Sequence, residues 1–464
     1  MSFKKVVYPY IPNSEPGVKA QMLKEVNASS VDEFYRDIPS ELRINGQLNL
    51  PPPFTSEYSL RRHIEKILGK NKTARQYLNF LGAGCYQHHV PAVCDEINSR
   101  GEFLTAYAGE PYDDHGRFQS LFEYTSMMAE LLEMDVVNVP TYDGFQAAAT
   151  ALRMACRITN RNKVLLPETL GRDLLSKIQD YLKFDVEIIM VKHDPLTGGM
   201  DLHHLEVSLT QDCAAVFFEN PSYLGFLELK GIEITDMAHD HGAVCIVSVD
   251  PISLGVLEPP VKYGADIVVG DIQPLGMHMQ YGGGQAGFIA SRDEEKYVMQ
   301  YPSRLFGIVP TRVKGEYGFG DVAYERTSFA KREEGNEWVG TAAALWGITA
   351  GVYLALMGPQ GMREIGEGIL YRSKYAQQEL GKLTNVNTGM FQVPHFKELV
   401  VNFDQTGKTV ADINHRLLER NIFGGKDLSH DFQWLGESAL FCFTEIHTKE
   451  DIDQLVTTLK EVLA

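Results

Sequence analysis

An aspartate at the end of an apolar run could bind the ring nitrogen of a cofactor. Asp250 follows the run 243–249 and opens the sequence DPISLG. A carboxylate at the carboxyl end of a strand can pair with the pyridinium nitrogen of pyridoxal phosphate (PLP) and strengthen the pull of the ring on electrons. Many α/β sheets use an aspartate there only to cap the following turn. Asp250 therefore indicates PLP chemistry only together with other residues.

A catalytic PLP enzyme also needs a lysine that forms a Schiff base with the cofactor, in the turn after a strand that follows the aspartate. Residues 264–288 read GADIVVGDIQPLGMHMQYGGGQAGF and contain no lysine. Lys262 precedes this strand and Lys296 follows the next one, so neither is placed to reach the ring. We predict that Leu275 or a close neighbour takes the position of the missing lysine.

The predicted phosphate site is also altered. A helix is predicted to begin at the motif YDG, residues 142–144, and the N-terminus of a helix attracts anions. Asp143 already places a negative charge there, and its simplest role is to cap the helix. The missing lysine and the altered phosphate site together indicate a degenerate cofactor site, with changed positions at Asp250, Leu275 and Asp143.

Short apolar runs, separated by stretches with helical spacing, are predicted to position these residues. They are apolar on both alternating faces, which is typical of strands covered by helices on both sides of a largely parallel sheet. The runs are 163–168, 186–193, 214–220, 243–250, 265–271 and 285–291. We therefore predict an α/β fold of the PLP-dependent transferase type, like that of aspartate aminotransferase.

Other segments flank this region on both sides. Residues 1–79 are predicted to form an N-terminal helical arm, with a capping-box pattern at 30–33. Residues 80–340 are assigned to a large domain that has the PLP fold without the cofactor lysine. Residues 341–464 are assigned to a small C-terminal αβ domain, whose final helix is predicted to begin at Thr448.

Charge and composition argue against several classes of function. The formal net charge of −18 would repel nucleic-acid phosphates and anionic lipids, so we expect neither a nucleic-acid nor a membrane partner. No apolar run approaches the roughly 20 residues that span a bilayer, and the first residues lack the apolar core of a secretion signal. A cytoplasmic protein is expected. Adjacent histidines such as His88 and His89 lack the spacing of a ligand set, so no metal is predicted.

Ordered motifs along nearly the whole chain resemble those of one family. The motifs are YIPN (10–13), DIP (37–39), FLGAGCY (80–86), HHVPA (88–92), TAY (105–107), YDG (142–144), VDP (249–251), SLG (253–255), GADIVVG (264–270), QPLG (273–276) and TE (444–445). The chain resembles the first (α) subunit of the two-chain glycine dehydrogenase (decarboxylating), the P-protein of the glycine cleavage system. Long matches in this order are far more specific than a single glycine motif.

The resemblance implies that the chain is half of an enzyme and is inactive alone, with no catalytic residue of its own. In this family the α subunit is a PLP-fold half without the cofactor, and a homologous β subunit carries the lysine and PLP. The pair, expected as a heterotetramer, decarboxylates glycine and passes the aminomethyl group to the lipoyl arm of the H-protein. The expected partners are therefore the β subunit, the lipoylated H-protein and a small amino acid.

The resemblance also suggests which side chains this chain contributes to the active site of its partner: Thr105, Tyr107, Arg117, His115, His88 and Asn220. The clearest departure from the family pattern is the stretch 108–117, AGEPYDDHGR, which replaces a mostly neutral loop. Arg117 or His115 could there bind an additional anionic group, so that the pair acts on a small amino acid other than glycine. Alternatively, the loop has drifted and its charges are solvated. A non-catalytic scaffold subunit and a PLP enzyme with a displaced lysine are further alternatives.

Overall fold

The chain divides into two units, Met1–Lys72 and Thr73–Ala464. The computed structural model describes residues 7–44, 46, 48–104, 115–336 and 342–464, and of residues 115, 116 and 324 it describes the backbone only. The predicted domain boundaries after residues 79 and 340 stay predictions. Strand Leu78–Asn79 belongs to the second unit, where it pairs in parallel with Ile422–Phe423 of the C-terminal region.

The N-terminal unit is a helical segment without a core of its own. Helices α1 (Pro16–Glu25) and α2 (Glu57–Leu68) are each capped by a side chain, from Glu15 and Ser56 respectively. In the described part of this unit no residue is buried. The apolar side chains that recur along α2 are 43% to 55% exposed: Leu60, Ile64, Ile67 and Leu68. An amphipathic helix in this state has its apolar face uncovered.

The capping box predicted at residues 30–33 is wrong. Ser30 precedes a short 3-10 helix, Val31–Tyr35, and its side chain makes no capping hydrogen bond. The carboxylate of Glu33 instead accepts the backbone N–H of Ser29 at 2.7 Å. The predicted pairing fails because the carboxylate of Glu33 accepts from the backbone of Ser29, four residues before it, and not from that of Ser30.

The second unit combines a large sheet, smaller sheets and surrounding helices. Its strands are β1 (Leu78–Asn79), β2 (Val136–Val137), β3 (Lys163–Pro167), β4 (Glu187–Val191), β5 (Cys213–Glu219), β6 (Val244–Val249), β7 (Ile267–Asp271), β8 (Gly287–Ser291), β9 (Phe306–Pro310), β10 (Tyr317–Asp321), β11 (Glu398–Asn402), β12 (Ile422–Phe423), β13 (Lys426–Asp427) and β14 (Ser438–Cys442). Its helices are α3 (Ala92–Asn98), α4 (His115–Leu132), α5 (Gly144–Thr159), α6 (Arg172–Leu182), α7 (Leu202–Ser208), α8 (Gly231–Asp240), α9 (Glu295–Val298), α10 (Ala344–Leu380), α11 (Val410–Leu418) and α12 (Lys449–Leu463).

Within the described residues, the large sheet has the strand order β2-β8-β7-β6-β5-β3-β4. Strands β3 to β7 are mutually parallel, and β8 runs antiparallel to both of its neighbours. Each predicted run matches one of these strands to within two residues at either end. Phe217 and Phe218 of β5 are both buried, but in different apolar clusters, one with α5 and α6 and the other with α4, α8 and α10. The sheet is therefore covered on both faces, and the predicted α/β class with a mostly parallel sheet is confirmed.

The C-terminal region packs helices against a small antiparallel sheet. Strand β14 pairs with β11 on one side and β13 on the other. Helix α12 begins after Thr448, as predicted, and Thr448 forms a capping box with Asp451. Phe80 lies in the apolar core of this region together with side chains of α11 and α12. The segment that follows β1 is thus held by the C-terminal region.

A close backbone contact fixes the start of β11 against the loop that follows β5. Gly225 has a φ of +87°, and a Cβ atom there would lie 2.1 Å from the carbonyl oxygen of Glu398. The N–H of Phe396 donates to the carbonyl oxygen of Gly225 at 2.9 Å. Only glycine combines this backbone conformation with such a close approach. Residues 396–398 are therefore held close to the large sheet.

We expect Gly225→Ala to lower the free energy of unfolding by about 2–4 kcal/mol, since the added methyl group clashes with backbone in a strained conformation. Urea denaturation measures this loss. Gly407→Ala is the matched control: φ is also positive there, at +70°, but nothing lies within 4 Å of the added Cβ atom. It should cost only about 1 kcal/mol. Equal losses in the two variants would contradict the proposed contact.

Candidate functional site

Acidic residues meet in a cleft at the carboxyl ends of the parallel strands. Glu219 ends β5, Asp250 follows β6 and Asp271 ends β7. They line a cavity of about 110 Å³, whose wall also includes Tyr86, Phe145 and Tyr223. Open α/β sheets bind their ligands at this edge. The cleft is therefore the candidate functional site.

Asp250 forms an ion pair with a lysine from the C-terminal region. The Nζ atom of Lys397 contacts Oδ2 of Asp250, and Oδ1 of Asp250 accepts the backbone N–H of Ile252 at 2.9 Å. Lys397 immediately precedes β11 and is 1% exposed. Its φ of +63° lies in the left-handed region, which is uncommon for a residue other than glycine. This buried lysine was not identified from the sequence.

Further side chains surround the ammonium group of Lys397. Its Nζ lies 2.9 Å from Nε2 of His88 and 3.9 Å from the centre of the Tyr86 ring. Nδ1 of His88 lies 2.7 Å from Oε2 of Glu445. An ammonium group has no acceptor, so Nε2 of His88 accepts from Lys397 and Nδ1 donates to Glu445. We call Lys397, Asp250, His88, Tyr86 and Glu445 the lysine cluster.

Ionisation of Glu445 is favoured by its hydrogen bonds. Burial acts in the opposite direction, but the contact with His88 and the backbone N–H of His89, at 2.6 Å, lower the pKa of Glu445 to about 2. Glu445 therefore carries a negative charge at neutral pH. Its carboxylate orients His88 towards Lys397, in the way that a carboxylate commonly fixes the tautomer of a histidine.

Burial outweighs the hydrogen bonds of three other carboxyl groups in or beside the cleft. It raises the pKa values of Glu219, Asp271 and Glu398 to about 7 in each case. Glu398 accepts the N–H of Ala83 at 2.6 Å and the hydroxyl of Tyr86 at 3.1 Å. The charge of the cleft thus changes near neutral pH.

Two carboxylates occupy the N-terminus of helix α5. Oδ1 of Asp143 accepts the N–H of Gln146 at 2.7 Å, which is the capping role expected from the sequence. Oδ2 of Asp271 accepts the N–H of Gly144 at 2.8 Å. The other oxygen of Asp271 accepts the N–H of Gln273 at 2.8 Å. The N–H groups of Gly144 and Gln146, which could bind an external anion, are therefore already used by the chain's own side chains.

Comparisons with known proteins identify the family. The model of the glycine cleavage system P-protein matches residues 9–459. The chain belongs to the glycine cleavage system P-protein family. A probable glycine dehydrogenase (decarboxylating) subunit 1 of Staphylothermus marinus is 41% identical, over 98% of this chain and 98% of its own length. Its counterpart in Desulfitobacterium hafniense is 35% identical, over 98% and 99% of the two chains.

Solved structures agree with this assignment. The crystal structure of a glycine decarboxylase (P-protein) of the glycine cleavage system, in inhibitor-bound form, matches with a TM-score of 0.83 and 30% identity, over 98% of this chain and 100% of that chain. The sphingosine-1-phosphate lyase of Burkholderia pseudomallei matches with a TM-score of 0.65, over 92% and 94% of the two chains. At 12% identity the second likeness shows the fold alone. The predicted PLP-dependent transferase fold is confirmed.

The residues of this P-protein family member do not fit PLP. Leu275 is completely buried and has no amine for a Schiff base. Lys262 and Lys296, which respectively precede β7 and follow β8 in the chain, form half-exposed ion pairs with Glu133 and Glu294. The phosphate group would meet the two carboxylates at the start of α5, and the pyridinium nitrogen would compete with Lys397 for Asp250.

The residues expected to reach a partner are dispersed in the structure. Thr105 and Tyr107 lie outside the described residues, as does the side chain of His115. The other three are His88 in the lysine cluster, Arg117 in α4 and Asn220 after β5. Asn220 exchanges hydrogen bonds of 3.3 Å with the backbone of Glu228. Whether these residues contribute to a partner's site stays a prediction.

The altered stretch 108–117 can be judged at its last residue only. Arg117 is 1% exposed, so its charge is enclosed by the chain and is not solvated. The interpretation of this stretch as a drifted surface loop with solvated charges is therefore wrong for Arg117. For residues 108–114 both interpretations stay open, since these residues lie outside the described part of the chain.

The described parts of the chain contain no group of three or more histidine, cysteine, aspartate or glutamate side chains that could hold a metal ion. None of their helices is long and apolar enough to cross a bilayer.

We expect Glu219→Gln to make stability less dependent on pH. Because the pKa of Glu219 is raised to about 7 in the folded chain, the folded state retains a proton that the unfolded state has lost, and stability falls as pH rises from about 5 to 8. Glutamine keeps an acceptor for the N–H of Tyr223, 2.9 Å away, but does not ionise. The variant should reduce this loss by on the order of 2 kcal/mol.

Urea unfolding at a series of pH values measures this difference. Glu206→Gln, at an exposed position of α7, is the control and should leave the pH profile of the wild type unchanged. Parallel profiles for the wild type and Glu219→Gln would show that burial does not affect the ionisation of Glu219.

Proposed function

We propose that this chain is the subunit of a two-chain glycine decarboxylase, an oxidoreductase of the glycine cleavage system, that does not hold the cofactor. A homologous β subunit provides the lysine and binds PLP. Glycine loses its carboxylate in the active site of that partner. The remaining aminomethyl group passes to the lipoyl arm of the H-protein, as the family resemblance implies.

The observation that carries the proposal is the absence of a Schiff-base lysine from a cleft that otherwise keeps the family's architecture. Leu275 is buried in the turn after β7, and the amine nearest to Asp250 is engaged in the lysine cluster. Covalent attachment of PLP requires an accessible amine. Relatives that align with 98% of this chain are named subunit 1. Their name supports a second chain that takes the other role.

The N-terminal unit supports the existence of a partner chain. Its α2 helix carries Leu60, Ile64 and Ile67 along one face, all of them substantially exposed. Contiguous apolar surface of this kind commonly marks an interface between proteins. We propose that the partner β subunit covers this face, in an αβ unit that is repeated by two-fold symmetry.

We expect the chain, co-purified with a homologous lysine-bearing partner, to release carbon dioxide from carboxyl-labelled glycine in the presence of lipoylated H-protein. Neither chain alone should release it above background, because cofactor and shared site are then separated. The assay measures labelled carbon dioxide from glycine and from a panel of other small amino acids.

Release from another amino acid but not from glycine would make the stretch 108–117 the candidate determinant of specificity. A well-formed complex that decarboxylates none of the amino acids would contradict the proposal and favour a scaffold subunit. Activity of this chain alone with added PLP would contradict it as well.

Charged substitutions in α2 should weaken assembly. We expect the double variant Ile64→Asp, Ile67→Asp to lose most of its affinity for the partner, because buried, unpaired charges would oppose the interface. Size-exclusion chromatography with multi-angle light scattering measures the complex. Arg62→Ala, on the polar surface of α2, is the control and should leave the complex intact. Unchanged assembly of the double variant would show that α2 is not part of the interface.

A further inference from the structure

We propose that Lys397 is an internal substitute for the cationic ring of the cofactor. Its ammonium group occupies the cation position beside Asp250, while carboxylates of the chain occupy the anion position at α5. The protein itself thus places a positive charge beside Asp250 and carboxyl groups at the start of α5, while the cavity between the lining residues stays open. This inference concerns the chain's own residues and does not depend on which amino acid the complex decarboxylates.

The charge of Asp250 requires a partner. Its side chain is 13% exposed and that of Lys397 only 2%. A buried carboxylate without a cation is strongly destabilising, whereas a paired one is tolerated. In a PLP enzyme the protonated ring nitrogen supplies this positive charge. Here Lys397 supplies it, so Asp250 remains paired without any cofactor.

The ammonium group of Lys397 has three contacts, one for each of its N–H groups. A lysine ammonium has three N–H donors and no acceptor. One side faces Oδ2 of Asp250, another faces Nε2 of His88 at 2.9 Å, and the ring of Tyr86 lies 3.9 Å away. The last contact has the geometry of a cation–π interaction. Lys397 is therefore a fixed structural cation with no donor available for a substrate.

The start of α5, where Gly144 and Asp271 line the same cleft, shows the complementary substitution. The N-terminus of a helix would normally attract the phosphate group through its free N–H groups and its positive dipole. Asp143 and Asp271 take these donors at Gln146 and Gly144, with distances of 2.7 and 2.8 Å. A cation beside Asp250 and carboxyl groups at the start of α5 thus take the positions at which a PLP enzyme holds the ring nitrogen and the phosphate group.

Lys397 is not placed to act as a displaced Schiff-base lysine. The aldehyde of PLP projects from the ring carbon opposite to the ring nitrogen, whereas the Nζ atom of Lys397 lies at the nitrogen end, against Asp250. A lysine that must bond to the aldehyde would have to leave Asp250, His88 and Tyr86. The two roles predict different chemistry and can be separated by experiment.

The first test is chemical rescue of the full-length Lys397→Ala variant. Propylammonium chloride replaces the atoms that alanine lacks. We expect it to raise the melting temperature of Lys397→Ala by several degrees more than sodium chloride at equal ionic strength. The wild type should show no such difference. Lys397→Met, which fills the same volume without charge, should show none either.

A matched control is Lys449→Ala, which removes a lysine from an exposed ion pair with Asp453. It should show no specific response to propylammonium, because water already solvates Asp453 there. A folded Lys397→Ala variant that responds to propylammonium no more than Lys449→Ala does would overturn the inference.

The second test uses the wild-type chain and does not depend on a variant that folds. The chain is incubated with excess PLP, reduced with borohydride, digested and analysed by mass spectrometry. We expect no phosphopyridoxyl group on Lys397, although exposed lysines acquire some label. Stoichiometric labelling of Lys397 would overturn the inference and establish Lys397 as a displaced cofactor lysine.

Discussion

The buried ion pair between Lys397 and Asp250 is the interaction on which the site depends. It joins the carboxyl end of β6 to the start of β11, two segments that are remote in sequence. A charged pair with so little solvent is stable only if the remaining polar atoms are also satisfied. His88, Tyr86 and Glu445 meet this requirement. The positive φ of Lys397 and the close approach at Gly225 are the backbone conditions that bring the ammonium group to Asp250.

Much of the fold could be predicted from local sequence patterns. The strands of the large sheet are apolar on both faces. This pattern is typical of a parallel sheet that helices cover on both sides. The cap at Asp143 and the start of the final helix at Thr448 depend on residues within one helical turn, so they were also predictable. The pattern at 30–33 failed because the carboxylate of Glu33 accepts the N–H of Ser29 and not that of Ser30, a choice between adjacent donors that the residue types do not fix.

The site was predictable where one contiguous motif defines it. The positions of Asp250 and Leu275 in the site could be predicted because each follows a strand that the sequence pattern identifies. Lys397 could not, since its position beside Asp250 results from the packing of the C-terminal region on the large sheet. One signal was present: the lysine stands between Phe396 and the apolar strand Glu398–Asn402. A lysine in such a run must be buried and therefore needs an anionic partner.

The charge pattern of the cleft explains why the loss of a cofactor need not destabilise a protein of this fold. Loss of the Schiff-base lysine removes covalent attachment but leaves Asp250 as a buried anion and the start of α5 as an unfilled anion site. Each would be costly alone. Lys397 neutralises the first, and Asp143 and Asp271 fill the second. In a PLP enzyme the carboxylate of Asp250 would draw electrons from the cofactor ring. Here it binds Lys397, which in turn contacts Tyr86 and His88. The cleft is thereby held together by the chain's own charged groups.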